Sequence, residues 1–241
     1  MNHFFGLFGT NYQADAILNG TLDIENLNLS KEVKAWLHEI VYDDGEPPPI
    51  DTNITPPQFS QSVKRCNVNT SASPSGFGYL LWKASGLSPL GARVHSTMMT
   101  LPFSRGFAPS RWKQCLEVML EKDAGNPMIH RLRIIVLLEA DFNIALRIIW
   151  MRRLFPAAER MGFTNDQWGN RKMKSAIDCL SMKLLSFESK RHTHECTAVM
   201  AMDAAACYDR ILTYLSNICE RRHGLPKTVC LAKGKTVLEM L

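Results

Sequence analysis

The chain changes texture three times in its alternation of apolar and polar positions. Residues 1–30 are polar and Asn-rich with little periodicity. Ser30 is then placed to cap a short helix over Lys31 to Tyr42, with Val33, Trp36, Leu37 and Ile40 on one face. The run DDGEPPPID stops it, because Gly and three prolines cannot continue a helix. Residues 51–73, rich in Thr, Asn, Gln, Ser and Pro, read as a linker. The expected division is an acidic, partly disordered leader and linker over 1–65 and a folded domain over 66–241, with the boundary near 60–70.

Beyond Ser73 the apolar content rises. RWKQCLEVMLEK suits a helix or a strand, and after the turn DAGNP the branched run RLRIIVLL predicts a buried strand. Asn143 to Leu154 predicts a helix ended by Pro156. Lys172 to Phe187 predicts another, with Ile177, Leu180, Leu184 and Leu185 at core spacing. Cys196 to Met202 is strand-like. Arg210 to Arg222 predicts a helix stopped by Gly224 and Pro226, and a further helix begins at Lys227. Helices dominate, strands are few, and there is no internal repeat.

A chain of 241 residues, 46% hydrophobic and 21% charged, is large enough to bury a core. Its most apolar region, Ile134 to Trp150, holds Glu139, Asp141 and Arg147, which argues against a membrane span. The start MNHFFGLFGT lacks a basic segment followed by an apolar one, so a secretory signal is not expected. The seven cysteines form no CxxC pair and suit reduced thiols. The expected location is intracellular, nucleus or cytoplasm, with no secretion. Charge is divided unevenly. Residues 1–60 carry a net −7 and residues 61–241 a net +12. A basic body suits a polyanion such as nucleic acid, or is simply a solvated basic surface.

The most chemically suggestive segment is AVMAMDAAACYDRI. An apolar strand would deliver Asp203 to its carboxyl end, with Tyr208 five positions on. Joining nucleotides requires carboxylates that hold two Mg²⁺ ions about 3.5–4 Å apart, and Mg²⁺ prefers such oxygens. The competing reading is that Asp203 only caps a helix starting at Ala204.

Together with its upstream neighbours, this segment resembles the reverse transcriptases of non-LTR retrotransposons. MDAAACYDRI is similar to that family's first palm motif, and QWGNRKMKSAIDCL to its Gln-aromatic-Gly-x-Arg segment. VMLEKDAGNPMIHRLRIIVLLEADFN resembles the fingers hairpin, and SPSGFGYLLWKA with RWKQCLEVMLEK the entry segment before it. The matches follow family order from about Ser73 to Leu241. The resemblance implies a helix-rich α+β fold, the fingers and partial palm of a right-hand polymerase, behind a poorly ordered acidic leader. It implies RNA-templated DNA synthesis with Mg²⁺, an RNA template, a DNA primer and dNTP as partners. Asp203 would be the catalytic carboxylate and first metal ligand, with the carbonyl of Ala204 as a second contact. Tyr208 would be the gate beneath the sugar. Lys122 and Arg133 would neutralise the triphosphate, and Gln167 and Arg171 would line the template path.

The chain departs from the family pattern at Arg133-Ile134-Ile135, where the family often has Arg-Pro-Ile, and at Gly169-Asn170-Arg171, where it often has Gly-Phe-Arg. The family's aromatic-x-Asp-Asp hairpin is absent. The isolated chain is therefore expected to lack polymerase activity, and the alternative function is that of a non-catalytic nucleic-acid-binding remnant. A helical protein-interaction module is a third reading. Val41-Tyr42-Asp43-Asp44 mimics the absent hairpin, but it leaves a helix and runs into Gly45 and a proline cluster. His192-x-His194-x-Cys196 offers metal-binding atoms without the paired spacing of structural zinc, and Cys219, His223 and Cys230 would complete a set only by coincidence of fold. Of the tryptophans, Trp36, Trp82, Trp112 and Trp150 read as core, and Trp168 as facing nucleic acid.

Overall fold

A computed structural model describes residues 5–70, 74–126, 128–162, 168–169, 171, 173–198 and 211–240. The chain is helix-rich α+β and divides into two units: residues 1–157 with 212–241, and residues 158–211. The division thus falls elsewhere than near residue 60–70. No helix among the described residues is long and apolar enough to cross a membrane.

The first unit opens with α1 (Tyr12–Leu18), α2 (Lys31–Glu39), α3 (Pro56–Lys64), α4 (Tyr79–Leu87) and α5 (Pro89–Arg105). The starts have local causes. The Ser30 hydroxyl accepts from Val33 N–H at 3.4 Å before α2. Thr55 and Gln58 cap each other reciprocally before α3, with Pro56 at the first helical position. Ser88 accepts from Gly91 N–H at 3.3 Å before α5. The linker expected over 51–73 therefore contains a nine-residue helix. Thr55 and Gln58 cap α3, while Phe59, Ser62 and Val63 are buried, the Ser62 hydroxyl donating to Gln58 O at 2.8 Å.

The leader is ordered as well, contrary to expectation. Phe5, Ala14, Ile17, Leu18, Leu37 and Ile40 pack with Tyr214 and Ile218 into one apolar cluster. The second cluster joins Phe59, Trp82, Met99, Phe103, Trp112, Phe142, Ile148, Val229 and Cys230. Acidic leader and basic body are complementary halves of one interface. Asp15 meets Arg221 and Lys227, and Asp43 meets Arg222 at 2.9 Å. The mimic at Val41 to Asp44 is absorbed here, for Arg222 also donates to Val41 O at 3.3 Å. Gly9 sits where the leader passes close to Tyr214 and Ile218. Its φ is +61°, and a Cβ there would lie 2.5 Å from Tyr214 O.

The strands β1 (Leu116–Glu121) and β2 (Leu132–Leu137) form an antiparallel hairpin, paired from Leu116↔Leu137 to Glu121↔Leu132. The strand expected to be buried is largely exposed, with Ile134 at 59% and Ile135 at 41%. A two-stranded ribbon has no second layer to cover it, so branched residues give strand propensity without burial. After β2 come α6 (Ala140–Leu146), a π-helical segment Arg147–Leu154, and α7 (Phe155–Arg160), within which the chain passes into the second unit. The single helix expected over Asn143–Leu154 is thus two kinds of helix.

The second unit contains α8 (Ala176–His192), started by a Ser175–Asp178 capping box. None of its residues is buried, although Ile177, Leu180, Leu184 and Leu185 have core spacing. The spacing makes a helix, and all four apolar side chains stay more than half exposed. Cys196 to Ala198 is not a strand; the rest of that segment lies outside the described residues. The chain then returns to the first unit, which closes with α9 (Thr213–Arg222) and α10 (Lys227–Glu239), as the stop at Gly224 and Pro226 predicts.

Candidate functional site

The hairpin carries Arg133 in β2, with Lys122 directly after β1, the two residues that the resemblance assigns to phosphate. Opposed residues in an antiparallel pair point to the same face, and so do residues two apart. Because Leu120 pairs with Arg133, and Lys122 N–H donates to Arg131 O at 2.9 Å, Lys122, Arg131 and Arg133 lie on one face near the turn. Arg131 reaches Asp123 at 3.9 Å, with both side chains more than half exposed. Such a pair contributes little. Lys122 and Arg133 are exposed and have no carboxylate partner among the described residues. Three cations at a hairpin tip suit a group bearing several phosphate oxygens.

The base of the hairpin is fixed by a buried charge network. Arg111, in the 3₁₀ turn Ser110–Lys113 before β1, meets Asp141 at two points and also Glu139, both just after β2. Trp112 Nε1 donates to Asp141 at 3.0 Å, and Ser75 donates to Glu139 through backbone and hydroxyl at 2.9 Å each. The guanidinium also lies 5.7 Å from the Trp82 ring centroid. Burial pulls the Arg111 pKa down, but Asp141 and Glu139 outweigh it and hold it above its usual value. His95 packs edge-on to Trp82 at 4.8 Å between ring centroids, and its Nδ1 is buried without a partner among the described residues. Burial pushes its pKa down. In the sequence, Glu139 and Asp141 serve only to argue against a membrane span. Their further signal is two acids directly after an apolar strand, which must find cations once buried.

Arg171 lies in the second unit, where its Nε donates to Glu159 at 3.0 Å. Trp168 is partly buried, with Lys174 Nζ 4.7 Å from its ring centroid. Asp203, Ala204, Tyr208 and Gln167 lie outside the described residues. Among the described residues no three His, Cys, Asp or Glu side chains form a metal site. That includes His192, His194 and Cys196, and also Cys219, His223 and Cys230. The Cys230 thiol is directed instead to Asn217 O at 3.8 Å. Trp82 and Trp112 are buried as expected, and Trp36 and Trp150 partly so.

No protein family, no curated protein and no solved structure matches the chain.

Proposed function

We propose that the chain is a reverse transcriptase-like domain in which the β1–β2 hairpin grips the triphosphate of an incoming dNTP. One observation carries this reading. The segment that resembles the family's fingers hairpin is an antiparallel hairpin, and it brings Lys122, Arg131 and Arg133 onto one largely uncompensated face. The four motifs in family order supply the rest of the support.

In this reading the reaction is in-line attack of a primer 3′-hydroxyl on the α-phosphate, directed by an RNA template, with pyrophosphate leaving. The hairpin's part is positional: three cations neutralise the phosphates and hold them in line. Mg²⁺ would stabilise the developing charge when bound. The described residues include no carboxylate set that fits it and Asp203 lies outside them, so no step is built on the metal.

The test is dNTP binding by the full chain, followed by ³¹P NMR titration. The Lys122→Gln/Arg133→Gln double variant should weaken binding by about tenfold or more, at about 1.5–3 kcal/mol per lost charged hydrogen bond, without changing the melting temperature. Equal affinity in the variant would falsify the assignment. Primer extension on an RNA template that survives Asp203→Ala would remove Asp203 from its role. Retained RNA binding with no dNTP affinity would instead favour a non-catalytic nucleic-acid-binding remnant.

A further inference from the structure

A second basic surface, built from other residues than the hairpin's, lies around Cys66. Lys64 and Arg65 end α3, Lys83 projects from α4, and Arg147 and Arg152 come from the π-helical segment. Arg147 Nη1 is 4.0 Å from Cys66 Sγ, and Arg152 Nη1 donates to Gln61 at 3.3 Å. None of the five cations forms an ion pair among the described residues. This sets them apart from Arg111, Arg153, Arg221 and Arg222 of the same unit, each of which has its acid.

The π-helix is what assembles the arginines. Its i→i+5 turn, seen where Phe155 N–H reaches Trp150 O, brings residue 152 back over residue 147. An α-helix, at 3.6 residues per turn, would set two residues five apart well round the axis. Burial and then the like charges of Arg65 and Arg147 lower the Arg152 pKa, so repulsion within the cluster is unrelieved. Beside it runs an apolar groove of about 510 Å³ between α3 and α4, lined by Val63, Leu80, Ala84 and Leu87 and flanked by Lys64 and Lys83. Leu87 is 83% exposed and Leu80 66%.

We infer that this surface binds a single-stranded nucleic acid, its phosphodiesters on Arg65, Arg147 and Arg152 and an unpaired base in the α3–α4 groove. Forked guanidinium groups match phosphate oxygens in two-point contacts. An apolar slot beside a cationic track suits a strand whose bases are free of a partner. The site uses no hairpin residue and does not require that the chain bind dNTP.

The experiment is fluorescence anisotropy of the full chain with a labelled oligouridine of about twenty nucleotides, between about 50 and 200 mM salt. The Arg65→Gln/Arg147→Gln/Arg152→Gln variant should bind about tenfold or more weakly, with a salt slope reduced by roughly 2, since each single-strand phosphate contact contributes about 0.7. The matching triple lysine variant should recover most of the affinity, and equal melting temperatures would exclude misfolding. Lys122→Gln/Arg133→Gln should lose dNTP but keep the oligonucleotide, which separates this site from the hairpin. Unchanged oligonucleotide affinity in the triple Gln variant overturns the inference. So does equal competition by phosphatidylserine vesicles or by inorganic phosphate.

Discussion

Arg111 and Asp141 clasp each other at two points across the base of the hairpin, Nη1 to Oδ1 at 3.0 Å and Nη2 to Oδ2. The two strands between them expose apolar residues on both faces, so the ribbon owes little to a core of its own. The clasp, with Glu139 fully buried beside it, is what ties the cationic tip to the unit.

Asp141→Asn should therefore destabilise the chain by about 3 kcal/mol, because removing one partner leaves the other's charge buried and half-paired. Urea unfolding monitored by tryptophan fluorescence checks this, since Trp112 donates to the same carboxylate. A loss under about 1 kcal/mol, the range of an exposed pair, would mean the clasp is not structural.

His95 makes stability fall in mild acid. Its folded pKa lies below its ordinary value of 6.5, chiefly through burial, with Arg111 also lowering it and Asp141 opposing. The unfolded chain therefore takes up the proton first. The contribution is complete above pH 6.5 and is lost as pH falls from there toward the folded value. A His95→Phe variant should show a flatter melting temperature across that interval. An unaltered slope would place the acid sensitivity elsewhere.

Thiol reactivity should separate by burial. Cys196 is exposed, whereas burial pushes the Cys230 thiol up to about 12 and also raises Cys66. Only the thiolate reacts readily. With an aromatic disulfide reagent, Cys196→Ser should remove a fast phase, and Cys230 should react only on unfolding. Rapid labelling of Cys230 in the native chain would contradict the packing described.

The leader should come loose when its anchor is cut. Arg221, 6% exposed, donates to Gly9 O at 2.9 Å and pairs with Asp15. Asp15→Asn should cost about 2 kcal/mol, less than a fully buried pair because Asp15 is partly solvated. Gly9→Ala should act in the same direction by strain and collision. Limited proteolysis would report either change as faster cleavage within residues 10–50, and resistance equal to the parent would refute the anchor.

Much of this fold is legible in the residues that start and stop helices. Ser30 before α2 and Gly224 with Pro226 between α9 and α10 act locally, and local chemistry reads locally. The leader misleads because its order is not local. Its Asn-rich stretches have weak propensity, and its acids make sense only beside arginines some 200 residues later, such as Arg221 from Asp15. The charge asymmetry is visible in the sequence and suggests separation, when it is attraction. The π-helical segment is hidden because Ile148, Ile149 and Leu154 suit an α-helix equally well. Of the expected site, Lys122 and Arg133 do share a face, while Asp203, Ala204, Tyr208 and Gln167 fall outside the described residues.

The docking of the leader also sets an order of events at the ribosome. Asn217, fully buried, donates to Phe8 O at 3.0 Å across 209 residues of chain. The cluster that α1 and α2 share therefore stays incomplete until α9 follows, and loops of that length close slowly. Until then Phe5, Ile17 and Leu37 lack the cover of Tyr214 and Ile218, a client for whatever chaperone meets nascent apolar segments.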